Sequence, residues 1–154
     1  MNPTLYICLP ILNEYENLSD LLESFRSQTY PNFKIIACVN QPDEWWKQDD
    51  KLGICHDNAN SIRFLEEASD IDIHVIDRSS SGKGWIGKKK GVGWARKLSM
   101  DLASELGEKK DLILSVDGDT YYPPNYFESI VSIFNTTQSF SAHSNPYYHK
   151  LLGK

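Results

Sequence analysis

Leu112-Ile-Leu-Ser-Val-Asp117-Gly-Asp119 is the stretch that decides how this chain folds. A short apolar run that ends at a turn is typical of a buried strand. The two carboxylates that follow are costly at the end of a buried strand unless something neutralises them. A hard cation such as Mg²⁺ or Mn²⁺, which takes carboxylate and phosphate oxygens, would do so. Because Asp and Gly are also common turn residues, a plain turn is the alternative interpretation.

Apolar runs and helical periods alternate along the rest of the chain. The runs predict strands at residues 5–9, 33–39 and 71–76. Apolar residues at helical spacing predict helices at 16–27, along 92–106 and again after Pro124, and Asp57 is a candidate cap for a further helix over 57–69. The long segments between them, 40–56 and 78–91, are predicted loops, and residues 139–143 are a candidate for a last strand.

The order βαβαβαβα predicts an α/β fold, with a Rossmann-like, mainly parallel sheet covered by helices on both faces. With 154 residues, 1–154, the chain is long enough for a single domain with its own core. Ligands of such sheets bind beyond the carboxyl ends of the strands, near a switch in strand order. This rule selects four segments as the candidate site, namely residues 10–14, 40–43, 77–90 and 117–120.

Composition narrows the class of function. The formal net charge is -5 and the pI is about 5.3, which argues against a general nucleic-acid or membrane-surface binder. No apolar run approaches the ~20 residues that span a bilayer, and no signal peptide is visible. Three cysteines without metal-ligand spacing (Cys8, Cys38 and Cys55) are expected to be buried in a reducing compartment, so we expect a cytoplasmic protein.

Residues 82–88 match the patterns of two phosphate-binding motifs but lack other features that these motifs need. Gly82 to Gly87 fits G-x-G-x-x-G, but a long hydrophilic loop separates the strand from the helix where that motif needs a tight turn. The same stretch with Lys88 fits G-x-x-x-x-G-K, but Lys89 stands where a P-loop needs Ser or Thr. What remains is a basic loop that we expect to be flexible, and it is either a solvated charged face or a clamp on a diphosphate. Its cations are Lys83, Lys88, Lys89 and Lys90, with Arg96 and Lys97 nearby.

Five motifs, in order and at compatible spacing, resemble those of family 2 glycosyltransferases. The segment Ile7-Cys-Leu-Pro-Ile-Leu-Asn-Glu14 is similar to the opening strand and loop of that family, and Gln28-Thr-Tyr-Pro-Asn-Phe33 is similar to its linker before the second strand. Gly93-Trp-Ala-Arg-Lys97 resembles the start of a family helix. The stretch 112–119 resembles the strand that ends in D-x-D, and Pro124-Asn-Tyr-Phe127 resembles the segment after it. The match extends to about residue 140.

The resemblance implies a nucleotide-diphospho-sugar transferase fold of the glycosyltransferase A type, of which this chain would be the N-terminal donor-binding half. It implies a donor of the UDP type, Mn²⁺ or Mg²⁺ as cofactor, and a carbohydrate or lipid-linked acceptor. By position, Pro10, Asn13 and Glu14 would line the nucleoside site. Asp119 would ligate the metal, and Asp117 would hold the ribose or join the metal shell. Donor binding is also expected from Asn40, Lys83, Lys90 and Arg96.

Two departures from the family pattern concern the nucleobase. Asn40 stands where the family usually has an aspartate that reads the base, although an amide can both accept from and donate to uracil. Ile11 and Leu12 replace the polar and aromatic residues that usually follow the proline. Trp45 and Trp46, in the predicted loop that follows, would either stack on a base or sugar or cover the sheet edge.

An inverting transfer, which the resemblance implies, needs a general base. In the family this carboxylate lies in the second half, so we expect it beyond Lys154; Glu66 and Glu128 are predicted to be solvated positions on helices. Two alternatives therefore stay open. One is a non-catalytic nucleotide-sugar-binding module or fragment. The other is a sugar nucleotidyltransferase, which would usually have a Gly-rich loop after the first strand.

Overall fold

A computed structural model describes residues 2–88, 90–136 and 142 of the chain. Within them, four strands alternate with four α-helices. Their bounds in chain order are β1 Leu5–Ile11, α1 Tyr15–Arg26, β2 Phe33–Asn40, α2 Leu52–Glu67, β3 Ile73–Arg78, α3 Val92–Leu106, β4 Leu112–Ser115 and α4 Tyr126–Thr136. The candidate strand at 139–143 lies outside the described residues.

The four strands form one parallel sheet in the order β3-β2-β1-β4. The first three strands add successively in one direction, and β4 then lies on the other side of β1. The strand order therefore switches between β1 and β4, and the loops at their carboxyl ends flank the place where doubly wound sheets bind ligands. The predicted α/β architecture is confirmed.

Successive side chains of β1 point to opposite faces of the sheet, and each face has its own core. Leu5, Ile7, Leu9 and Ile11 are fully buried in the larger core, which includes Leu18, Leu22 and Phe25 of α1, Leu65 of α2 and Phe127 of α4. Tyr6 and Cys8 face the opposite side, where Ala103 of α3 covers them. Because β1 and residues 35–40 of β2, the two central strands, are buried on both faces, their sequences are mostly apolar rather than alternating.

Pro10 lies inside β1, although we predicted that the strand ends before it. The N–H of Val116 donates to the C=O of Cys8 at 3.0 Å, so Cys8 and every second residue after it face β4. The nitrogen of Pro10 therefore points to the β4 side, where pairing has already ended at Cys8. Since no ladder donor is lost, the strand continues to Ile11.

The segment 40–56 is not the loop that we predicted. It contains two short 3₁₀ helices, Asp43–Lys47 and Asp49–Lys51, and then the first turn of α2. Asp57, predicted to cap this helix, lies five residues inside it, and its carboxylate accepts the backbone N–H of Tyr15 at 3.2 Å. Among the described helices, none combines the length and apolar composition that a membrane span requires.

The three cysteines are buried, as predicted, and we expect them to be unreactive in the folded chain. Burial raises the pKa of both the Cys8 and the Cys38 thiol to about 12, against an opposing effect of nearby arginines. Since the thiolate is the reactive form, a disulfide reagent at pH 8 should label none of the three in the native protein and all three in urea. Rapid labelling of the native chain would contradict this expectation.

Candidate functional site

The loop after β1 and the turn after β4 meet at the switch in strand order. Gly118 is buried, and a Cβ placed on it would lie 3.6 Å from both Cγ and Cδ of Glu14. The Glu14 carboxylate accepts a hydrogen bond from the Asn17 side chain at 2.5 Å. The structure therefore brings Glu14 next to Asp117-Gly118-Asp119, two of the segments that the sequence places at this edge.

Asp117 is held through both its side chain and its backbone. Its carboxylate accepts from Arg96 of α3 at 2.8 Å, and Arg96 also donates to the hydroxyl of Ser115. The hydroxyl of Tyr122 accepts from the Asp117 N–H at 3.1 Å and donates to the Asp117 C=O at 3.4 Å. Burial raises the pKa of Tyr122, so the phenol keeps the proton that it donates. The Asp117 side chain is nevertheless 61% exposed.

Asp119 is exposed, and the hydroxyl of Thr120 donates to its carboxylate over a long 3.5 Å. It borders a shallow cleft of about 230 Å³ between α1 and the turn, lined also by Asp20 and Tyr121. Within the described residues, no group of three or more His, Cys, Asp or Glu side chains is arranged to hold a metal. Two carboxylates fit Mg²⁺ or Mn²⁺, which commonly takes one or two of them and completes its shell with water and substrate phosphate.

Gln28 fixes the segment that follows the turn. Its amide N–H₂ donates to the C=O of Pro123 at 2.8 Å, and its amide oxygen accepts the N–H of Phe127 at 3.0 Å. The hydroxyl of Tyr30 likewise donates to the C=O of Pro3 at 2.5 Å. The motif that begins at Gln28 therefore has a structural role, because its side chains hold the segments at Pro3 and Pro123 through hydrogen bonds. This role was not predicted from the sequence.

Asn40, which we expected in donor binding, is engaged at both ends of its amide. Its N–H₂ donates to the C=O of Ile11 at 3.0 Å, and its oxygen accepts the indole N–H of Trp85 at 3.0 Å. The residue is only 1% exposed. In this arrangement Asn40 ties the ends of β1 and β2 to Trp85, and its amide is buried in these contacts.

Replacing Asn40 by aspartate should therefore destabilise the chain. A carboxylate can accept from Trp85 but would direct its second oxygen at the Ile11 carbonyl oxygen, so one oxygen of a buried charge would have no donor and would face another acceptor. We expect Asn40→Asp to lower the free energy of unfolding by roughly 1–3 kcal/mol at neutral pH, with a smaller loss at pH 4, where the carboxyl is protonated. Urea unfolding at the two pH values measures both losses of stability. A variant as stable as wild type at neutral pH would contradict the structural role of the Asn40 hydrogen bonds.

The basic loop is anchored in its first half, so the expectation that it is flexible is wrong for that part. Asp43 accepts the backbone N–H groups of Gly82 and Gly84, at 2.7 and 3.2 Å. Trp85 is buried and exchanges backbone hydrogen bonds with Gln41 and Asp43. Because the amides of both glycines are already satisfied, this stretch is not a phosphate cradle.

Asp77 fastens the start of the same loop. Its carboxylate accepts the N–H groups of Ser79 and Ser80 at 3.0 and 2.9 Å, and the Ser80 hydroxyl at 2.6 Å. Burial alone would raise the pKa of Asp77, but these donors, helped by Lys83, lower it below the usual range. The indole N–H of Trp46 donates to the C=O of Ser79 at 2.8 Å. This bond supports the prediction that Trp46 covers the edge of the sheet.

The cations near the loop are mostly paired within the described residues. Lys83 lies 3.6 Å from Asp77, Lys90 lies 5.5 Å from the ring centre of Trp94, and Lys97 pairs with Asp101. Lys83 and Lys90 remain exposed, so they can still attract an anionic ligand. Lys88 is also exposed, and Lys89 lies outside the described residues.

Arg78, at the carboxyl end of β3, is a residue that sequence reasoning missed. Its guanidinium lies 4.5 Å from the ring centre of Trp85, and its buried Nε has no hydrogen-bond partner within the described structure. A lone arginine at a strand end gives no sequence signal, because nothing local shows that Trp85 will stack on it.

The fold is shared with crystal structures of TarS from S. aureus, a family 2 glycosyltransferase. TarS 1–349 in complex with UDP matches with a TM-score of 0.53 and 18% identity, over 86% of this chain and 32% of that one. The complex with UDP-GlcNAc gives a TM-score of 0.52, 18% identity, and 87% and 31% coverage. The longer TarS structure gives 0.53 and 17%, with 87% and 20% coverage. No protein-family model and no curated protein matches the sequence.

These matches confirm the predicted Rossmann-like α/β architecture, which the chain shares with part of TarS. At this identity they establish the fold and not the activity. The chain spans about a third of TarS 1–349. These matches therefore do not establish the substrates or partners of the whole protein.

Proposed function

We propose that this chain binds a nucleotide-diphospho-sugar donor of the UDP type, with Mn²⁺ or Mg²⁺, for transfer of the sugar to a carbohydrate or lipid-linked acceptor. The observation that carries the proposal is the close approach of Glu14 to the turn Asp117-Gly118-Asp119 at the switch in strand order, where a Cβ added to Gly118 would lie 3.6 Å from the Glu14 side chain. Proteins with this fold include TarS in complex with UDP and with UDP-GlcNAc, which favours the same class of donor here.

Asp119 is the metal ligand that we propose, with Asp117 beside it. Asp119 is exposed, and among the described residues its carboxylate accepts only a long hydrogen bond from Thr120, so it can take a new partner at little cost. Asp117 keeps one oxygen on Arg96, which orients it and balances its charge. When bound, the cation would neutralise the charge that develops on the departing diphosphate.

The nucleoside is proposed to lie against Pro10, Asn13 and Glu14. The carboxylate of Glu14 accepts hydrogen bonds only, which suits the two hydroxyls of a ribose. Lys83 and Lys90 would contribute by attracting the diphosphate, and Arg96 chiefly by holding Asp117. Asn40 is proposed to act indirectly, because its amide is used in tying the strands together.

Transfer with inversion is the reaction that we propose for the complete site. The acceptor oxygen would attack the anomeric carbon, the bond from that carbon to the phosphate oxygen would break, and the nucleoside diphosphate would leave. A base must take the acceptor's proton. Neither carboxylate considered from the sequence suits this task, because Glu128 accepts from Thr29 at 2.7 Å and Glu66 is exposed near the end of α2. This observation favours a second candidate, a module that binds the donor without transferring the sugar.

Calorimetric titration of UDP and UDP-GlcNAc, with Mn²⁺ and with EDTA, tests the donor site. We expect binding that weakens at least about tenfold when the metal is removed, a difference that calorimetry resolves easily. Failure to bind any nucleoside diphosphate would contradict the proposal. Release of UDP from UDP-GlcNAc in the presence of an acceptor would exclude the binding-module candidate, and synthesis of a sugar nucleotide from UTP and a sugar phosphate would revive the nucleotidyltransferase alternative.

A further inference from the structure

The loop after β1 holds a strained residue at the centre of the candidate site. Asn13 has a φ of 56°, and among the described residues it alone has a positive φ without being glycine. This left-handed conformation is unfavourable for most L-residues, although asparagine adopts it more readily than others. A hydrogen bond from outside the loop holds the backbone of Asn13 in this conformation.

The restraint comes from α2. The side-chain oxygen of Asn58 accepts the N–H of Asn13 at 2.9 Å, and the Asn58 N–H₂ donates to the side-chain oxygen of Gln41 at 2.9 Å. The Gln41 N–H₂ in turn donates to the sulfur of Cys55 at 3.0 Å. Cys55, Gln41 and Asn58, which we call the amide relay, are all fully buried.

The direction of every bond in the amide relay follows from the Asn13 N–H, which the relay accepts. A backbone N–H can only donate, so Asn58 must offer its oxygen to Asn13 and turn its N–H₂ toward Gln41. Gln41 must then offer its oxygen to Asn58 and its N–H₂ to Cys55. Any amide flip would set like groups against each other in a buried place, where an unmet polar group is expensive. The relay therefore has one favoured state, which presents a fixed acceptor to the loop.

We propose that Asn58 is a positioning residue of the donor site. It acts through the backbone of Asn13, and it thereby sets where Asn13 and Glu14 stand relative to Gly118. The inference rests on the proposed function for its ligand, whereas the restraint on Asn13 does not depend on any ligand. It also explains why two amides and a thiol occupy fully buried positions that apolar side chains could fill.

The variant Asn58→Leu, similar in volume but without an acceptor, tests this inference in the full chain. We expect exchange of the Asn13 amide hydrogen, followed by NMR, to become roughly 10- to 100-fold faster, and UDP affinity with Mn²⁺ to fall about tenfold, as for a lost buried hydrogen bond. Asn58→Asp keeps an acceptor for Asn13, and Gln41 can flip so that Cys55 donates to it. This variant should therefore recover most of the UDP affinity even though the buried carboxyl lowers the melting temperature.

Two controls on the same helix separate positioning from general stability. Leu65→Ala opens a cavity in the larger core and should lower the melting temperature while leaving UDP affinity of the folded chain within about twofold. Ser61→Ala removes a buried hydroxyl that has no hydrogen-bond partner within the described structure, so it should leave UDP affinity and Asn13 exchange unchanged and should not lower the melting temperature. Equal losses of affinity in Asn58→Leu and Leu65→Ala, or unchanged Asn13 exchange in Asn58→Leu, would overturn the proposal.

Exchange of the Asn13 amide hydrogen needs no ligand, so it tests the restraint on Asn13 separately from the proposed donor binding. If the wild-type chain bound no UDP, the proposed function would fail, and exchange at Asn13 alone would decide the restraint. Slow exchange in wild type with fast exchange in Asn58→Leu would support it, and equal rates would overturn it.

Discussion

Asp119→Asn is expected to abolish the metal-dependent part of UDP binding. The substitution keeps the shape of the side chain but replaces a charged, exposed ligand by a neutral amide. Because Mn²⁺ and Mg²⁺ take hard anionic oxygens, and the described site offers only a pair of carboxylates at this turn, the cation loses half of its protein charge. We expect UDP affinity in Mn²⁺ to fall on the order of 10²-fold, and titrations with Mn²⁺ and with EDTA to become nearly the same.

The matched control for this prediction is Asp20→Asn. Asp20 borders the same cleft from α1, so the variant changes the net charge by the same amount beside the same site. We expect its UDP affinity to stay within about threefold of wild type, because an exposed charge acts weakly through water. A similar loss in both variants would mean that the cleft acts only through its overall charge. If EDTA did not change UDP binding by the wild-type chain, the turn would not hold a metal.

The architecture could be predicted from sequence because the two central strands of the sheet, β1 and β2, are buried on both faces over most of their length. The segments around Ile7 and Ile36 are therefore continuous apolar runs that need no partner to be recognised. The segment around Leu114 is also an apolar run, although β4 lies at the edge of the described sheet and Ile113 is 41% exposed. The position of Asp117 and Asp119 at the carboxyl edge followed from the same pattern. The segment 40–56 could not be read in this way, because its 3₁₀ helices are short and polar and bury no side chain fully.

The details of the site depend on contacts between residues far apart in the chain. Nothing near Asn40 indicates that Trp85, 45 residues later, will occupy its amide oxygen. The left-handed backbone of Asn13 likewise depends on Asn58, which lies 45 residues later in α2 and which no sequence pattern near Asn13 indicates. Sequence patterns report which face of an element is buried. They do not report which polar groups pair once the faces come together.

Gly84→Ala should be the most destabilising change in the basic loop. An added Cβ would lie 2.6 Å from both Cα and N of Asp43 and 2.9 Å from the Gln41 carbonyl oxygen. All three atoms are backbone and cannot swing aside as a side chain would. The contact between the loop and the end of β2 must open, and with it the bond from Trp85 to Asn40. We expect a loss of roughly 2–4 kcal/mol in the free energy of unfolding, measured in urea.

Alanine substitutions at two other glycines serve as controls for this steric effect. At Gly53 in α2, an added Cβ meets nothing within 4 Å and φ is not positive, so Gly53→Ala should stabilise the chain by about 0.5–1 kcal/mol. At Gly87 the space is equally open but φ is +88°, so Gly87→Ala should cost roughly 1 kcal/mol from backbone strain alone. If Gly84→Ala were no worse than Gly87→Ala, the close approach to Asp43 would not be what anchors the loop. If it were far worse, the loop would be part of the folded framework that supports the site, because its anchor and the buried amide of Asn40 would be lost together.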